Sequence, residues 1–391
     1  MTSEPAVPGL QLRDRLIGRI VGARPGPLLV ATAGLHGNEP AGVAALDRIF
    51  QTIHDQRIPI RGEFLGLAGN LAALARGERA IDRDLNRHFK PERIVALRNG
   101  HPPDPAISED RELVDVLEAI EPALGRAHDE AFFIDLHTTS GKSAAFATVG
   151  DTLRNREFAL RFRSPIILGL EEHIEGTLLE YLNGRGYITM GFEGGRHQDP
   201  ASVDLLEAGV WVALAAAGVL PTADRLAEVE RAQRLLEENR RGLPRVFEVR
   251  YRHPVQPEDR FRMRPGYESF QPLTQGEWVA EDRSGDIHAP AGGRILMPLY
   301  QTQGDDGFFV IREFSPFWLT VSRILRHTRA DQLLRALPGV RRHPTVEDTL
   351  VIDIRVARFL ALQVFHLLGY RKQKQVGRVL VMSRRKESRK P

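Results

Sequence analysis

The segment Gly34–Glu39 (GLHGNE) places an imidazole and a carboxylate three residues apart. His36 and Glu39 can therefore point at one atom from a single turn, and the flanking glycines allow tight backbone geometry. Both side chains are zinc ligands, but a catalytic zinc site needs three protein ligands and one open position. Taken alone, the pair is also typical of a turn with a helix-capping Asn38 and a solvated carboxylate.

A third nitrogen donor follows the apolar run Phe132–Leu136. His137 comes directly after this run, where we expect a strand to end. Asp135 lies two residues earlier, on the same face of the strand, and could orient the imidazole by a hydrogen bond. A lone histidine at this position is more often a capping or core residue. Together with His36 and Glu39, however, it completes the His₂Glu set of hydrolytic zinc sites.

Two further segments carry charged residues that suit hydrolysis. Arg79–Arg87 (RAIDRDLNR) is rich in arginine but interrupted by aspartates, which favours an ordered loop over a helix. An arginine there could pair with a carboxylate or stabilise an oxyanion, although a surface salt-bridge network has the same pattern. Glu193 follows an apolar run and precedes two glycines, so it could act as a general base beside a metal.

The elements that must position these residues alternate along the first 220 residues. Near-continuous apolar runs predict strands that are buried on both faces. Between them, helical spacing is found in Pro40–Phe50, Glu109–Ile120 and Leu205–Ala217. The alternation predicts an α/β domain with a central sheet, whose strand ends are the usual place for a site. The five predicted strands are Pro27–Ala33, Glu63–Ala68, Phe132–Leu136, Ala144–Val149 and Ile188–Phe192.

The rest of the chain has a different pattern of predicted elements. We predict a helical connector over residues 221–244 and a β-rich domain over 245–314, where short strands alternate with Pro and Gly turns. Residues 315–391 are expected to form a basic C-terminal extension with a helical segment at Val356–Leu368. From residue 311 onward, 18 Lys and Arg accompany six Asp and Glu. The excess of basic over acidic residues therefore comes from the tail.

The amino-acid composition excludes several classes of protein and of active site. Among 391 residues, 42% are hydrophobic and 27% charged, which is typical of a globular protein. Cysteine is absent, which excludes disulfides, cysteine zinc clusters and a thiol nucleophile. Neither a secretion signal nor a long apolar run is present, so we expect a cytoplasmic protein that does not span a membrane. The tail lacks a nucleic-acid-binding motif, and nucleic acid is not an expected partner.

The motifs HGNE, GN, RxxxxDLNR, DLH and Glu-x-Gly occur here in one order. The set resembles the succinylglutamate desuccinylase/aspartoacylase family, a branch of the zinc carboxypeptidase-like fold. It covers residues 27–200, and the small β-rich domain fits the family's arrangement more loosely. The resemblance implies a central mixed sheet flanked by helices, followed by a small β-rich domain and here by the basic tail.

The resemblance also implies roles for single residues. One zinc ion per chain would be held by His36, Glu39 and His137. Arg79 would polarise the scissile carbonyl, and Glu193 would be the general base and then the proton donor to the leaving amine. The substrate carboxylate would be bound by Asn86 and Arg87.

Some positions depart from the family pattern. Ala80 stands where an aromatic residue is frequent, and Asn183 stands where a further carboxylate-binding arginine is expected. Arg185 is the nearest replacement. These differences concern the specificity for the amino acid rather than the metal chemistry.

The function that the sequence favours is a zinc-dependent hydrolase of the amide bond in a small N-acyl amino acid. The chain could act as a monomer or as a homo-oligomer. One alternative is a zinc carboxypeptidase that acts on a short peptide. Another is a non-catalytic binding protein whose main contact is the basic tail.

Overall fold

The structure is a computed structural model that describes residues 14–101, 106–221, 226–328, 339–344, 348–353, 365 and 367–384. In the first half of the chain, strands and helices alternate. They are β1 (Leu16–Val21), β2 (Arg24–Ala33), α1 (Ala41–Asp55), β3 (Arg61–Ala68), α2 (Leu71–Arg76), α3 (Pro91–Arg98), α4 (Glu109–Arg126), β4 (Ala131–Thr139), β5 (Phe146–Val149), α5 (Leu153–Ala159), β6 (Ile166–Leu168), α6 (Leu178–Gly184), β7 (Ile188–Arg196), α7 (Ala201–Ala216) and α8 (Ala227–Arg240).

The second half is richer in strands. Its elements are β8 (Val246–Pro254), β9 (Arg262–Met263), β10 (Pro272–Leu273), β11 (Trp278–Asp282), β12 (Gly285–His288), β13 (Gly293–Leu296), β14 (Asp306–Glu313), α9 (Pro316–His327), β15 (Val340–Arg342), β16 (Thr349–Asp353), β17 (Tyr370–Val376) and β18 (Val379–Arg384).

One mixed sheet of 11 strands runs through both halves, in the order β1-β3-β2-β4-β7-β5-β6-β8-β14-β13-β10. The neighbours β3, β2, β4 and β7 are parallel, so their carboxyl ends meet at one edge. β1 and β5 run antiparallel to β3 and β7. Beyond β8 the sheet is antiparallel through β14, β13 and β10.

Helices cover both faces of the parallel part, which explains why its strands are apolar without alternation. On one face, α1, α5, α7 and α8 pack on a cluster that includes Leu46, Phe162 and Trp211. On the other face, α3, α4 and α6 pack on a cluster that includes Phe89 and Leu117. The predicted fold class, an α/β protein with a large central mixed sheet flanked by helices, is confirmed. Within the described residues, no helix is both long and apolar enough to cross a membrane.

The structure refines several predicted elements. β4 and β7 continue past the predicted ends at Leu136 and Phe192, so His137 and Glu193 lie inside strands. β1 and β6 were not predicted. The described part of the tail holds α9 and a four-stranded antiparallel sheet, and most of Val356–Leu368 lies outside the described residues. The predicted domain limits stay predictions. β8, at the start of the predicted β-rich domain, pairs directly with β6 of the α/β part.

A buried ion pair joins α9 to the α/β part. Arg326 donates from Nη1 to the Asp151 carbonyl oxygen and from Nη2 to its Oδ2, both at 2.9 Å. Neither side chain has any exposed surface. Arg156 also contacts Asp151, and its Nη1 donates to Ser322 Oγ of α9 at 3.1 Å. The docking of α9 therefore depends on charges that lie away from water.

Replacing Arg326 by alanine should destabilise the protein, because it leaves the buried Asp151 carboxylate with fewer partners. Breaking a buried pair in this way typically costs about 3–5 kcal/mol. Thermal unfolding followed by calorimetry should show a clearly lower transition temperature. Arg323→Ala, an exposed position on the same helix, is the matched control and should unfold almost like the parent. Equal transition temperatures for the two variants would contradict this role.

Candidate metal centre

Three buried side chains meet at the carboxyl edge of the parallel strands. His36 and Glu39 come from the turn between β2 and α1, and His137 comes from β4. Glu39 Oε1 lies 2.9 Å from His36 Nδ1, and its Oε2 lies 3.2 Å from His137 Nδ1. One ligand atom from each residue lies within 4.8 Å of the others. The three residues, which were predicted from two separate motifs, therefore come together at one place.

Two glycines shape the turn that carries His36 and Glu39. Gly34 has a φ of +68°, a left-handed conformation that glycine adopts without strain. A Cβ at Gly37 would lie 2.1 Å from the carbonyl carbon of Ala73, so only glycine fits against α2. The turn is closed by a hydrogen bond from the Glu39 N–H to the His36 carbonyl oxygen at 3.1 Å.

Each imidazole is oriented by a carboxylate at its other nitrogen. His137 Nε2 lies 2.6 Å from Asp135 Oδ2, and Thr32 Oγ1 donates to Asp135 Oδ1 at 2.6 Å. His36 Nε2 lies 3.0 Å from Asp84 Oδ1. Such partners fix the ring orientation and increase the basicity of a metal-binding histidine. Asp135 contacts His137, as its position two residues earlier on the same strand face predicted. Asp84 was given no role by the sequence analysis.

The charges of this cluster compensate one another. Burial alone would raise the pKa of Glu39, but His36 and His137 hold it well below its usual range. Burial alone would lower the pKa of His137, but Asp135 and Glu39 raise it well above its usual range. The Glu39 carboxylate thus stays ionised despite its burial, as a metal ligand must.

The arginine-rich loop closes one side of the cluster. Arg79 Nη2 donates to Asp84 Oδ2 at 2.7 Å, and Arg79 Nη1 lies 3.6 Å from Glu39 Oε1. The backbone that carries them is held by Glu109, which is buried at the start of α4. Its carboxylate accepts N–H hydrogen bonds from Ile81, Asp82 and Arg83 at 2.7 to 3.2 Å. No local sequence signal marks Glu109 for this role.

Asn86 and Arg87 follow in a short 3-10 turn at the rim of the same cavity. Asn86 Oδ1 accepts from the Leu178 N–H at 3.0 Å, which fixes the amide, and Asn86 Nδ2 lies 3.5 Å from His137 Nε2. Arg87 Nη1 donates to the Asn86 carbonyl oxygen at 2.9 Å. Its Nη2 donates to Asp306 Oδ2 at 3.3 Å. The Arg87 guanidinium therefore lines the cavity while it is paired with the Asp306 carboxylate.

Glu193 enters the cavity from β7, where it pairs across the strands with His137. It is 8% exposed, and its Oε2 has no hydrogen-bond partner among the described residues. Burial raises the pKa of Glu193 to about 8, with His137 opposing the shift and Glu39 adding to it. A carboxylate with a raised pKa is a stronger proton acceptor, which suits a general base.

The cavity also contains residues that sequence reasoning treated differently or missed. Asn183 lines the inner wall, whereas Arg185 is exposed and lies over the rings of Tyr181 and Tyr187. Arg185 therefore does not replace the arginine expected at position 183. His197, after β7, lines the cavity and was not predicted.

His197 joins two parts of the cavity wall. Its Nδ1 lies 2.7 Å from Thr138 Oγ1, and its Nε2 lies 3.1 Å from Gln301 Oε1. Asn38 Nδ2 donates to the same Gln301 oxygen at 3.0 Å. Since an amide oxygen only accepts, His197 must donate from Nε2 and accept from the threonine hydroxyl.

The donor set fits zinc. Two imidazoles and one carboxylate are the ligands of hydrolytic zinc sites, and they leave a coordination position open. The carboxylates on both Nε2 atoms suit that assignment. Glu193, whose Oε2 has no hydrogen-bond partner among the described residues, lines the same cavity.

Comparison with known proteins finds similarity to one family over part of the chain. Residues 25–177 match the succinylglutamate desuccinylase/aspartoacylase catalytic domain. A succinylglutamate desuccinylase from Pseudomonas putida is 43% identical over 61 residues, which are 16% of this chain and 18% of the relative. One from Burkholderia thailandensis is 31% identical over 110 residues, or 28% and 30% of the two chains. The matched segments thus span less than a third of these curated relatives.

Solved structures share the fold over a longer stretch. A succinylglutamate desuccinylase/aspartoacylase from Rhodobacter sphaeroides has a TM-score of 0.54 at 19% identity, covering 76% of this chain and 88% of its own. An ectoine utilization protein from Ruegeria pomeroyi has a TM-score of 0.53 at 17% identity, covering 75% and 87%. The resemblance to the succinylglutamate desuccinylase/aspartoacylase family that the motifs predicted is therefore confirmed over residues 25–177.

Proposed function

We propose that this protein is a zinc-dependent hydrolase that cleaves the amide bond of a small N-acyl amino acid. The observation that carries the proposal is the meeting of His36, Glu39 and His137 in one cavity with Glu193 and Arg79. Ligands, base and oxyanion-stabilising group are the parts that metal-assisted amide hydrolysis requires. The match of residues 25–177 to the succinylglutamate desuccinylase/aspartoacylase catalytic domain supports the same reaction class.

His36, Glu39 and His137 would hold the zinc ion. When bound, zinc supplies Lewis acidity, which polarises a carbonyl group and makes water easier to deprotonate. Asp84 and Asp135 keep the two imidazoles oriented toward Glu39 through their Nε2 atoms.

Glu193 would move the protons. Glu193 lines the cavity, and its Oε2, which has no hydrogen-bond partner among the described residues, can accept a proton from the attacking water. The same oxygen can then donate that proton to the nitrogen of the leaving amine, because the amine must be protonated to depart as a neutral group. With its pKa raised to about 8 by burial, Glu193 can hold the transferred proton until the amine departs.

Arg79 would stabilise the negative charge that develops on the scissile carbonyl oxygen. Asp84 and Glu109 hold this guanidinium and its loop in place before the substrate arrives, so little reorganisation is needed. Asn86 and Arg87, at the cavity rim, would bind the free carboxylate of the amino acid.

The test of this proposal is a mass-spectrometric screen of N-acetyl and N-succinyl amino acids, with short peptides included, using the zinc-loaded full chain. We expect release of an amino acid from at least one N-acyl amino acid. Release of a C-terminal residue from peptides alone would identify a carboxypeptidase instead, and no turnover of either class would refute the hydrolase.

Removing the ligands should remove the metal. We expect one zinc per chain in the parent and background zinc in His36→Ala, because two ligands bind zinc far more weakly than three. Elemental analysis of purified protein provides the measurement, and His54→Ala, an exposed histidine, is the matched control. Stoichiometric zinc in a folded His36→Ala/His137→Ala double variant would refute the ligand assignment.

Replacing Glu193 by glutamine should separate catalysis from metal binding. The amide has the shape of the carboxylate but cannot accept a proton, so kcat should fall by about 10²–10⁴-fold. Zinc content should stay at the parent level. A kcat close to that of the parent, on a substrate from the screen, would remove Glu193 from the mechanism.

The two arginines should affect different kinetic constants. Arg87→Lys retains the charge but loses the planar fork, so KM should rise by about tenfold while kcat changes little. Arg79→Lys should mainly lower kcat, by about 10²–10³-fold, because its donors act on charge that develops in the transition state. Steady-state kinetics on the same substrate distinguish the two effects. Equal effects of both variants on KM would contradict the assignment.

A further inference from the structure

The loop between β13 and β14, residues 297–305, forms one wall of the cavity. Met297, Leu299 and Gln301 line it, together with Asp306 at the start of β14. On one side, Gln301 contacts Asn38 and His197. The strand-rich second half of the chain therefore contributes side chains to the same cavity as the α/β half.

Asp306 bridges two arginines. Its Oδ1 accepts from Arg252 Nε of β8, and its Oδ2 accepts from Arg87 Nη2 at 3.3 Å. Only 11% of the Asp306 side chain and 19% of the Arg87 side chain are exposed. An internal carboxylate is thus already paired with the guanidinium that would bind the substrate.

The two contacts of Asp306 differ in strength. Charge-assisted N–H···O bonds of strong pairs measure about 2.7–2.9 Å, so the contact with Arg87 is a loose one. The contact with Arg252 is shorter, and it holds the carboxylate when Arg87 turns to another anion.

On the basis of the proposed role of Arg87, we propose that Asp306 is an internal counter-ion that competes with the substrate carboxylate for Arg87. A substrate with a well-placed carboxylate exchanges with Asp306, whereas a neutral amide of the same shape leaves the internal pair intact. Asp306 therefore sets the affinity for anionic substrates, and it acts as a specificity determinant contributed by the strand-rich half.

The direct test measures binding without turnover. In the zinc-loaded full chain with Glu193→Gln, the dissociation constants of N-acetylglycine and its neutral analogue N-acetylglycinamide are measured by ligand-observed NMR. Adding Asp306→Asn should strengthen N-acetylglycine binding by about tenfold, because the competing charge is gone, and should leave N-acetylglycinamide unchanged. Asp305→Asn removes a charge from the same cavity wall at a side chain that is not paired with Arg87 among the described contacts, so it is the matched control for a general loss of negative charge.

A second variant should act in the opposite direction. Arg252→Gln removes the stronger partner of Asp306, so the carboxylate is left to Arg87 and N-acetylglycine should bind several-fold more weakly. General damage to the loop would weaken binding in both variants, which separates it from competition. The proposal is overturned if Asp306→Asn binds N-acetylglycine no more tightly than the Asp305→Asn control, or if it binds none at all.

Failure of this inference is distinguishable from failure of the proposed function. Lack of turnover of any N-acyl amino acid by the parent would refute the hydrolase, whatever the binding constants. Turnover together with unchanged N-acetylglycine binding in Asp306→Asn would retain the hydrolase and refute the competition.

Discussion

The burial of one carboxylate, that of Glu39, determines much of the structure around it. The side chain is 3% exposed, and a buried ion without partners would cost several kcal/mol. Two imidazoles, the Thr138 N–H at 2.9 Å and the Arg79 guanidinium surround it. Because these partners come from β4 and from the loop before α3, the fold must bring three separate segments to the same edge of the sheet.

Around the Glu39 carboxylate, basic and acidic side chains alternate with increasing distance. The imidazoles next to Glu39 are followed by Asp84 and Asp135, and Asp84 is followed in turn by Arg79. Burial would raise the pKa of Asp84, but His36 and Arg79 hold it well below its usual range. Glu193 is the exception in this series, because its Oε2 has no hydrogen-bond partner in the part of the chain that the structure describes, and because burial raises its pKa. An unsatisfied group of this kind is costly to keep and is typical of a functional site.

The sequence was informative where the chemistry lies at strand ends. Long apolar runs identify buried strands, and parallel strands bring their ends together, so His36, His137 and Glu193 could be expected to meet. Edge strand β1 was missed because its residues are mostly half-exposed and lack a clear pattern. Glu109 and Asp306 were missed for another reason. Each reaches the site from a distant part of the chain, and local spacing carries no information about such contacts.

The C-terminal segment also supports the cavity, through the wall opposite the metal-binding turn. Gly150 and Glu171 line that wall, and the Asp151 N–H donates to Glu171 Oε1 at 3.1 Å. Asp151 is also the residue that the buried Arg326 of α9 holds through both its carbonyl and its carboxylate. A helix outside the family match, which ends at residue 177, thus fixes backbone that shapes the cavity. The shape of this cavity therefore depends on residues outside the segments that carry His36, Glu39 and His137.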